Sequence, residues 1–493
     1  MALIYQSGKL NTTALSVPDV YIQISQPQDL ITGGNSSKLG IVGTAGWGPV
    51  GHPVVLGSNA DYLAAFGSKQ NVVTDVGVAL NVAAMQGATS FCAVRVTDGT
   101  DTVASVMADD VNIQAKWTGT EGNNIQLIVE QTMTGYDLVV SHLVLGSMVY
   151  SGKTWEDIQQ AVQQDLSALI TINLLETVPS LATGQWILSG GKDGGRPSTR
   201  QFLGSDGPQM TGMYALKGQG CSVAFLHGLT DSLSYADQAA FGQNENIYMI
   251  ASGPSADTVS HAVSAKMALG LSSTALKLMF GDWVWYNDSD FGVILLSPQA
   301  FVGGLLATLS PEQSSLNKPL SGIIGTQKAG LSGSTSVYSS AELSALFTSG
   351  MDVICNPAPG GSYWAVRCGH NTSDNSVVNG DNYTKMTNYL AVSLASGMGV
   401  YVGHVINDTL FADIRSTLLG FLSALLSQGV LGIENNSLPY SVVCDASNNP
   451  QSRTALGYVQ ADVAVRYQGI NEKFVINLQG GSSVRVFTSK GNI

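Results

Sequence analysis

The run Leu39-Gly40-Ile41-Val42-Gly43 contains no polar side chain and leads into the turn Gly46-Trp47-Gly48-Pro49. An apolar stretch of that length, bounded by glycine and proline, reads as a short buried strand. Val54, Val55 and Leu56 form a second strand, and Asp61-Tyr62-Leu63-Ala64-Ala65-Phe66-Gly67 a short helix closed by glycine. Val76, Leu80, Ala83 and Ala84 share one face of an amphipathic helix over 76–86, and 91–96 is the next strand. This alternation of strand and helix points to an α/β layer.

From 115 to about 187 the texture changes. Strands are predicted over 124–130 and 136–144 and a helix over 155–169, together a separate, mostly β insertion. The link Gly190-Gly191-Lys192-Asp193-Gly194-Gly195 opens a second α/β region. It has strands at 223–226, 247–251 and 276–280 and a helix over 260–269. A small-residue helix follows at 301–309, a short helix at 341–347, and a strand at 352–355. Two stronger helices are expected near 389–394 and over 408–426, the latter repeating Phe411, Ile414, Leu418, Leu422 and Leu425 at helical spacing.

Both ends read as extended chain. Val20, Ile22 and Ile24 alternate with Tyr21 and Gln23 after a polar, Thr/Ser/Asn-rich arm that has nothing of its own to bury. At the other end Val459, Ala461, Val463, Val465 and Tyr467 alternate, then Phe474, Ile476 and Leu478, and Val484 and Val486 follow the break at Gly480 and Gly481. Such arms fray or find a sheet edge on another molecule. Gly33 and Gly34 are the expected flexible link between arm and body, Gly190 and Gly191 the link to the second α/β region, and Gly480 and Gly481 that to the last strand.

Charge limits the function classes. Only 12% of residues are charged, against about 25% for an average soluble protein. A monomer covers itself with solvated charge, whereas a subunit surrounded by neighbours need not. The net charge of −13, with 22 basic residues and no run of them, argues against phosphate-backbone binding. Five widely spaced cysteines fit reduced thiols in a cytoplasmic product. The N-terminus has no signal-peptide pattern, and no apolar run reaches the ~18 residues of a membrane span. No cofactor, metal or membrane insertion is expected.

Catalytic candidates are weak. Gly43-Thr44-Ala45-Gly46-Trp47-Gly48 has the wrong spacing for a dinucleotide site and reads as a tight turn. Cys355, Cys368 and His370 lack the paired spacing of a metal knuckle. Asp193 suits an Asx-type turn better than a catalytic carboxylate. Asp282-Trp283-Val284-Trp285-Tyr286 could stack a sugar, but alternating aromatics more often serve a core or an interface. No nucleophile, base and orienter come together.

Taken in order, these motifs resemble the contractile tail sheath family of bacteriophages and related injection machines. Pro18-Asp19-Val20-Tyr21 is similar to its Pro-Gly-Val-Tyr opening, with Asp19 in place of glycine. Gly40-Ile41-Val42-Gly43 through Trp47-Gly48-Pro49, Asp61-Tyr62 with Phe66-Gly67, and Cys92-Ala93-Val94-Arg95-Val96 follow in the family's order. So do Gly119, Gly122-Asn123-Asn124-Ile125 and Leu188-Ser189-Gly190-Gly191-Lys192-Asp193-Gly194. Around Asn382-Tyr383-Thr384-Lys385 the family's paired arginines are missing, as is the usual glycine after Trp364.

The resemblance implies an α/β (α+β) multidomain fold with an inserted mostly-β domain and extended terminal β arms. The expected parts are an arm over 1–36, an α/β core over 37–110 and an insertion over 111–190. A second α/β domain over 191–355, a C-terminal sheath domain over 356–470 and a strand arm over 471–493 complete them. It further implies a helical homo-oligomer around an inner tail tube, with baseplate and tail terminator proteins as partners. Such a sheath is assembled in a bacterial cytoplasm, sits in the virion tail, and contracts to drive the tube through the cell envelope. The arms (Val20, Tyr21, Ile22, Ile24; Phe474, Ile476, Leu478, Val484, Val486) would add strands to neighbouring subunits. The competing expectations are another self-assembling shell or tube protein, and a carbohydrate-active enzyme.

Overall fold

Leu39, Ile41 and Val42 are fully buried in the strand Lys38–Gly43, which lies inside a seven-stranded sheet. The strand order is Met351–Asp352, Leu276–Met279, Tyr248–Ser252, Val223–Leu226, Lys38–Gly43, Ser90–Arg95 and Pro53–Leu56. All neighbours run parallel except the last pair. The computed structural model describes residues 5–7, 22–24, 31, 33–70, 73–108, 111–174, 180–331, 338–356, 359, 361–478 and 480.

The chain divides into two compact units, Ser36–Met386 with Gln468–Ile493, and Met1–Asn35 with Thr387–Tyr467. In the larger unit, period-two geometry feeds two cores from each central strand. Leu39, Ile41, Phe91, Ala93, Val223 and Phe225 enter one core, beneath the helices Asn59–Phe66, Val76–Met85 and Gln299–Thr308. Val42, Cys92, Val94, Ala224 and Leu226 enter the other, with Tyr235–Glu245, Val259–Leu269 and Ser340–Thr348. Both faces are covered, so the strands read as near-continuous apolar runs, broken by buried charged residues such as Arg95 and Lys277, instead of alternating with polar residues.

The helix expected as amphipathic over 76–86 is more deeply buried than that. Val76, Gly77, Val78, Ala79, Leu80, Val82 and Ala83 are all buried in Val76–Met85. Its neighbour Gln299–Thr308 comes so close that a Cβ on Gly304 would lie 2.6 Å from the Ala83 Cα. The helix Tyr235–Glu245 was not expected, because its sequence YADQAAFGQNE carries no strong apolar stripe. Gln238 is nevertheless fully buried there, donating to Ser234 Oγ at 2.9 Å.

Between Ser90–Arg95 and Val223–Leu226 the chain forms a four-stranded antiparallel sheet in the order Gly146–Gly152, Tyr136–His142, Gln126–Gln131 and Gly184–Ile187. A three-stranded sheet of Ile170–Asn173, Val111–Thr118 and Val103–Ala108 shares its core. The helix expected over 155–169 stops at Gln164. Asp165 ends it, its carboxylate accepting from Ser167 N and the Tyr150 hydroxyl, both at 2.8 Å. The chain then turns into the strand Ile170–Asn173.

The strand expected over 352–355 is split. Met351–Asp352 edges the large sheet, while Ile354–Cys355 pairs with Ala365–Val366. In the smaller unit the helix Asp408–Ser427 buries Leu410, Phe411, Ile414, Leu418, Phe421, Leu422 and Leu425 along one stripe. It is long and apolar enough to cross a membrane by length and composition, but that stripe faces protein. A hairpin of Tyr440–Val443 and Asp462–Val465 belongs to the same unit, as does a parallel pair of Tyr5–Ser7 and Ile22–Ile24.

Candidate functional site

An open parallel sheet binds ligands beyond the C-terminal ends of its strands, where the winding reverses. Here that point lies between Lys38–Gly43 and Val223–Leu226. The chain's own backbone fills it. Thr44 N donates to Thr74 O at 2.8 Å, Val76 N to Thr44 O at 2.9 Å, and Gly228 N to Gln299 Oε1 at 3.0 Å. A Cβ on Gly43 would sit 2.4 Å from Thr74 O, so only glycine allows this approach. His227 is wholly buried beside the filling, and burial brings its imidazole down to about 3, leaving it neutral. Asp75 caps the helix Val76–Met85 through Val78 N at 3.0 Å, and burial pushes its carboxyl up to about 7.

The Gly190–Gly195 link is stapled to the insertion. Asp193 accepts from Thr120 N and Thr120 Oγ1, both at 2.7 Å, so its carboxylate serves a clamp between distant segments. Asn123 and Gly191 exchange two hydrogen bonds, Asn123 Nδ2 to Gly191 O at 2.9 Å and Gly191 N to Asn123 Oδ1 at 2.8 Å. A Cβ on Gly191 would lie 2.4 Å from Gly119 O, whereas Gly190, at φ +87, faces open space. Below the link, the fully buried Arg95 guanidinium donates to Gly48 O at 2.8 Å and Thr118 O at 2.9 Å. Glu121 joins Ser68 N to His142, whose Nε2 lies 3.0 Å away. Burial would raise Glu121, but His142 and Ser68 bring it down to about 2.

Most of the remaining catalytic candidates lie in the interior. Trp283 and Tyr286 are buried, and Asp282 accepts from the Tyr338 hydroxyl and Lys328 N, both at 2.8 Å. Cys355 and Cys368 are buried; burial pushes the Cys355 thiol up to about 12 and raises that of Cys368 further. Among the described residues no group of three His, Cys, Asp or Glu is placed to hold a metal ion.

One buried constellation was missed. Lys277 Nζ, in the apolar strand Leu276–Met279, donates to Asp352 Oδ2 at 2.6 Å, Asp381 Oδ1 at 3.1 Å and His370 O at 3.0 Å. Asp381 also accepts from the Tyr248 hydroxyl at 2.7 Å and Ser315 N at 3.1 Å; Asp352 accepts from Val353 N, Cys368 N and Gly369 N. Burial alone would lower Lys277, but the two carboxylates hold it above its ordinary value, and its charge keeps buried Asp381 below the usual range. A lone lysine in an apolar strand was the available signal, since a buried charge must be paired. Nearby, Lys385 donates to Leu306 O at 2.8 Å and Leu309 O at 2.6 Å, and burial pushes it down to about 7.

Of the arm residues, Ile22 and Ile24 lie in a described strand, paired within the chain; Val20, Tyr21, Val484, Val486 and Gly481 lie outside the described residues. Gly33 and Gly34 lie against Tyr389, Val392 and Ser393, within the smaller unit. A Cβ on Gly33 would meet the Tyr389 hydroxyl at 2.1 Å, and Gly34 N donates to Ser393 Oγ at 2.8 Å. Phe474, Ile476 and Leu478 form no strand with any described residue and are 78%, 73% and 88% exposed, with Val475 between them 80% exposed. Gly480 has open space around it.

This architecture is similar to solved sheath proteins. A sheath tail protein from Listeria innocua matches with a TM-score of 0.61 at 15% identity, over 85% of this chain and 91% of that one. A sheath tail protein from Desulfitobacterium hafniense gives 0.58 at 15% identity, over 86% and 93%. The helical sheath of the anti-feeding prophage, in its contracted state, gives 0.55 at 12% identity, over 94% and 99%. No protein-family model matches the sequence, and no curated protein matches it. The likenesses show that the chain has the tail sheath fold.

Proposed function

We propose that this chain is the structural subunit of a contractile sheath, a particle tail component that polymerises helically around an inner tube. In this reading residues 1–36 and 471–493 are arms that add strands to neighbouring copies. Baseplate and terminator proteins bound the polymer, and contraction drives the tube through a cell envelope. The observation that carries the reading is the exposed apolar segment Phe474, Val475, Ile476 and Leu478 at the end of a chain with the sheath fold. A free subunit loses stabilisation by leaving four large apolar side chains in water, each worth about 1.5–3 kcal/mol when buried. A neighbour's sheet edge supplies both the burial and the backbone partners.

Two further features support it. The hairpin Tyr440–Val443 with Asp462–Val465 has no fully buried residue, and an isolated two-stranded ladder is marginal in water. It is suited to gain strands. The crevice where a doubly wound sheet would hold a substrate is filled by residues 73–76. The test is electron microscopy of the purified chain as concentration rises. Helical cylinders wide enough to enclose a tube are expected; a particle that stays single at high concentration refutes the reading.

A further inference from the structure

The C-terminal segment does not leave the larger unit as a loose end. Asn382 Nδ2 donates to Gln468 O at 2.9 Å, and His370 Nε2 lies 2.7 Å from Glu472 Oε1. Two residues beyond Glu472 the exposed apolar run begins. Asn379 Nδ2 lies 3.3 Å from His370 Nδ1, and an amide nitrogen can only donate there. A carboxylate oxygen accepts, so His370 Nε2 is the donor of the contact to Glu472.

Both partners are fixed from beneath by the buried lysine. Lys277 bonds the main-chain oxygen of His370, and it bonds the carboxylate of Asp381, the residue before Asn382. Asn371, next to His370, is held by Asn379 O at 2.7 Å and donates through Nδ2 to Thr384 Oγ1 at 2.9 Å. The two contacts to the segment thus stand on residues tied into a buried hydrogen-bond network. A root held at two points four residues apart sets the direction in which the following residues leave. It also removes backbone freedom that association would otherwise have to freeze out.

We propose that His370 and Asn382 are positioning residues for assembly, a two-point latch that holds the root of the C-terminal segment and presents 474–478 to the sheet edge of a neighbouring copy. The role in assembly rests on the sheath reading; the latch does not. Trypsin cleavage after Lys473 in the dilute, unassembled full chain reads the latch directly, because a protease needs locally freed backbone.

The double variant His370→Ala with Asn382→Ala is expected to speed that cleavage at least about tenfold, the factor that losing a hydrogen bond to a charged group implies, with an unchanged melting temperature. His370→Gln, which keeps a donor at similar reach, is expected to stay near wild type. The double variant should also need a higher concentration to form cylinders. Unchanged cleavage in the double variant overturns the latch. Faster cleavage with unchanged assembly overturns its role in assembly. Failure of the wild type to form any cylinders refutes the sheath reading, and the cleavage comparison then still decides the latch.

Discussion

The strand Val223–Leu226 and the segment 474–478 are both short apolar stretches with the side chains of a strand, yet they end in opposite surroundings. Val223 and Phe225 are completely buried, with parallel neighbours on both sides; Phe474, Ile476 and Leu478 stand in water. The difference lies in what the rest of the chain offers. Val223–Leu226 finds backbone partners in Lys38–Gly43 and Tyr248–Ser252 and helices over both faces. No described strand lies beside 474–478, so its alternation remains a capacity without a partner. Apolar periodicity states that a segment can be a strand, and the supply of an edge decides where.

The sharpest way to break this contrast is to disturb the buried side. Lys277→Met leaves Asp352 and Asp381 buried without their counter-charge and is expected to cost about 3–5 kcal/mol of stability, read from urea unfolding. A loss below about 1 kcal/mol would mean that the carboxylates find other partners or take up protons at no cost.

Lys385 tests the same interior through pH. Its folded-state pKa, about 7, lies below the ordinary value of 10.5, so the folded protein releases this proton first. Its contribution to stability is therefore present above the ordinary value and lost as pH falls through 7. Unfolding free energies at pH 6.5, 8 and 9.5 should rise by a smaller amount in Lys385→Met than in wild type; equal slopes would contradict the assignment.

The exposed side should answer with almost no change in stability. Replacing Phe474, Ile476 and Leu478 together by serine is expected to move the unfolding free energy by less than about 0.5 kcal/mol, as for surface substitutions generally. The same variant should fail to form cylinders under the electron microscope. Normal polymers from it would remove the C-terminal arm from the assembly scheme.

Much of the sheet could be read ahead of the structure because its strands are covered on both faces and therefore written as apolar runs. Lys38–Gly43, Ser90–Arg95, Val223–Leu226, Tyr248–Ser252 and Leu276–Met279 all fall where such runs stand. Tyr235–Glu245 could not be read, since its buried face includes Gln238 and Gly242 and so mimics a polar segment. Asp193 was legible as a turn residue but not as a clamp, because Thr120, its partner, lies 73 positions away. His370, Asn382 and Lys277 were invisible as a group for the same reason.

By itself the sequence determined which stretches must be covered, where the chain turns, and that no familiar catalytic constellation is spelled out. Those are local properties, set by side-chain polarity and backbone freedom over a few residues. The tertiary structure alone decided that residues 73–76 fill the crevice of the sheet, that one lysine pairs with two distant carboxylates, and that the C-terminal segment is held at two points where it starts. Each of these joins positions far apart in the chain, and such contacts exist only once folding has met the entropy of closing the loops between them.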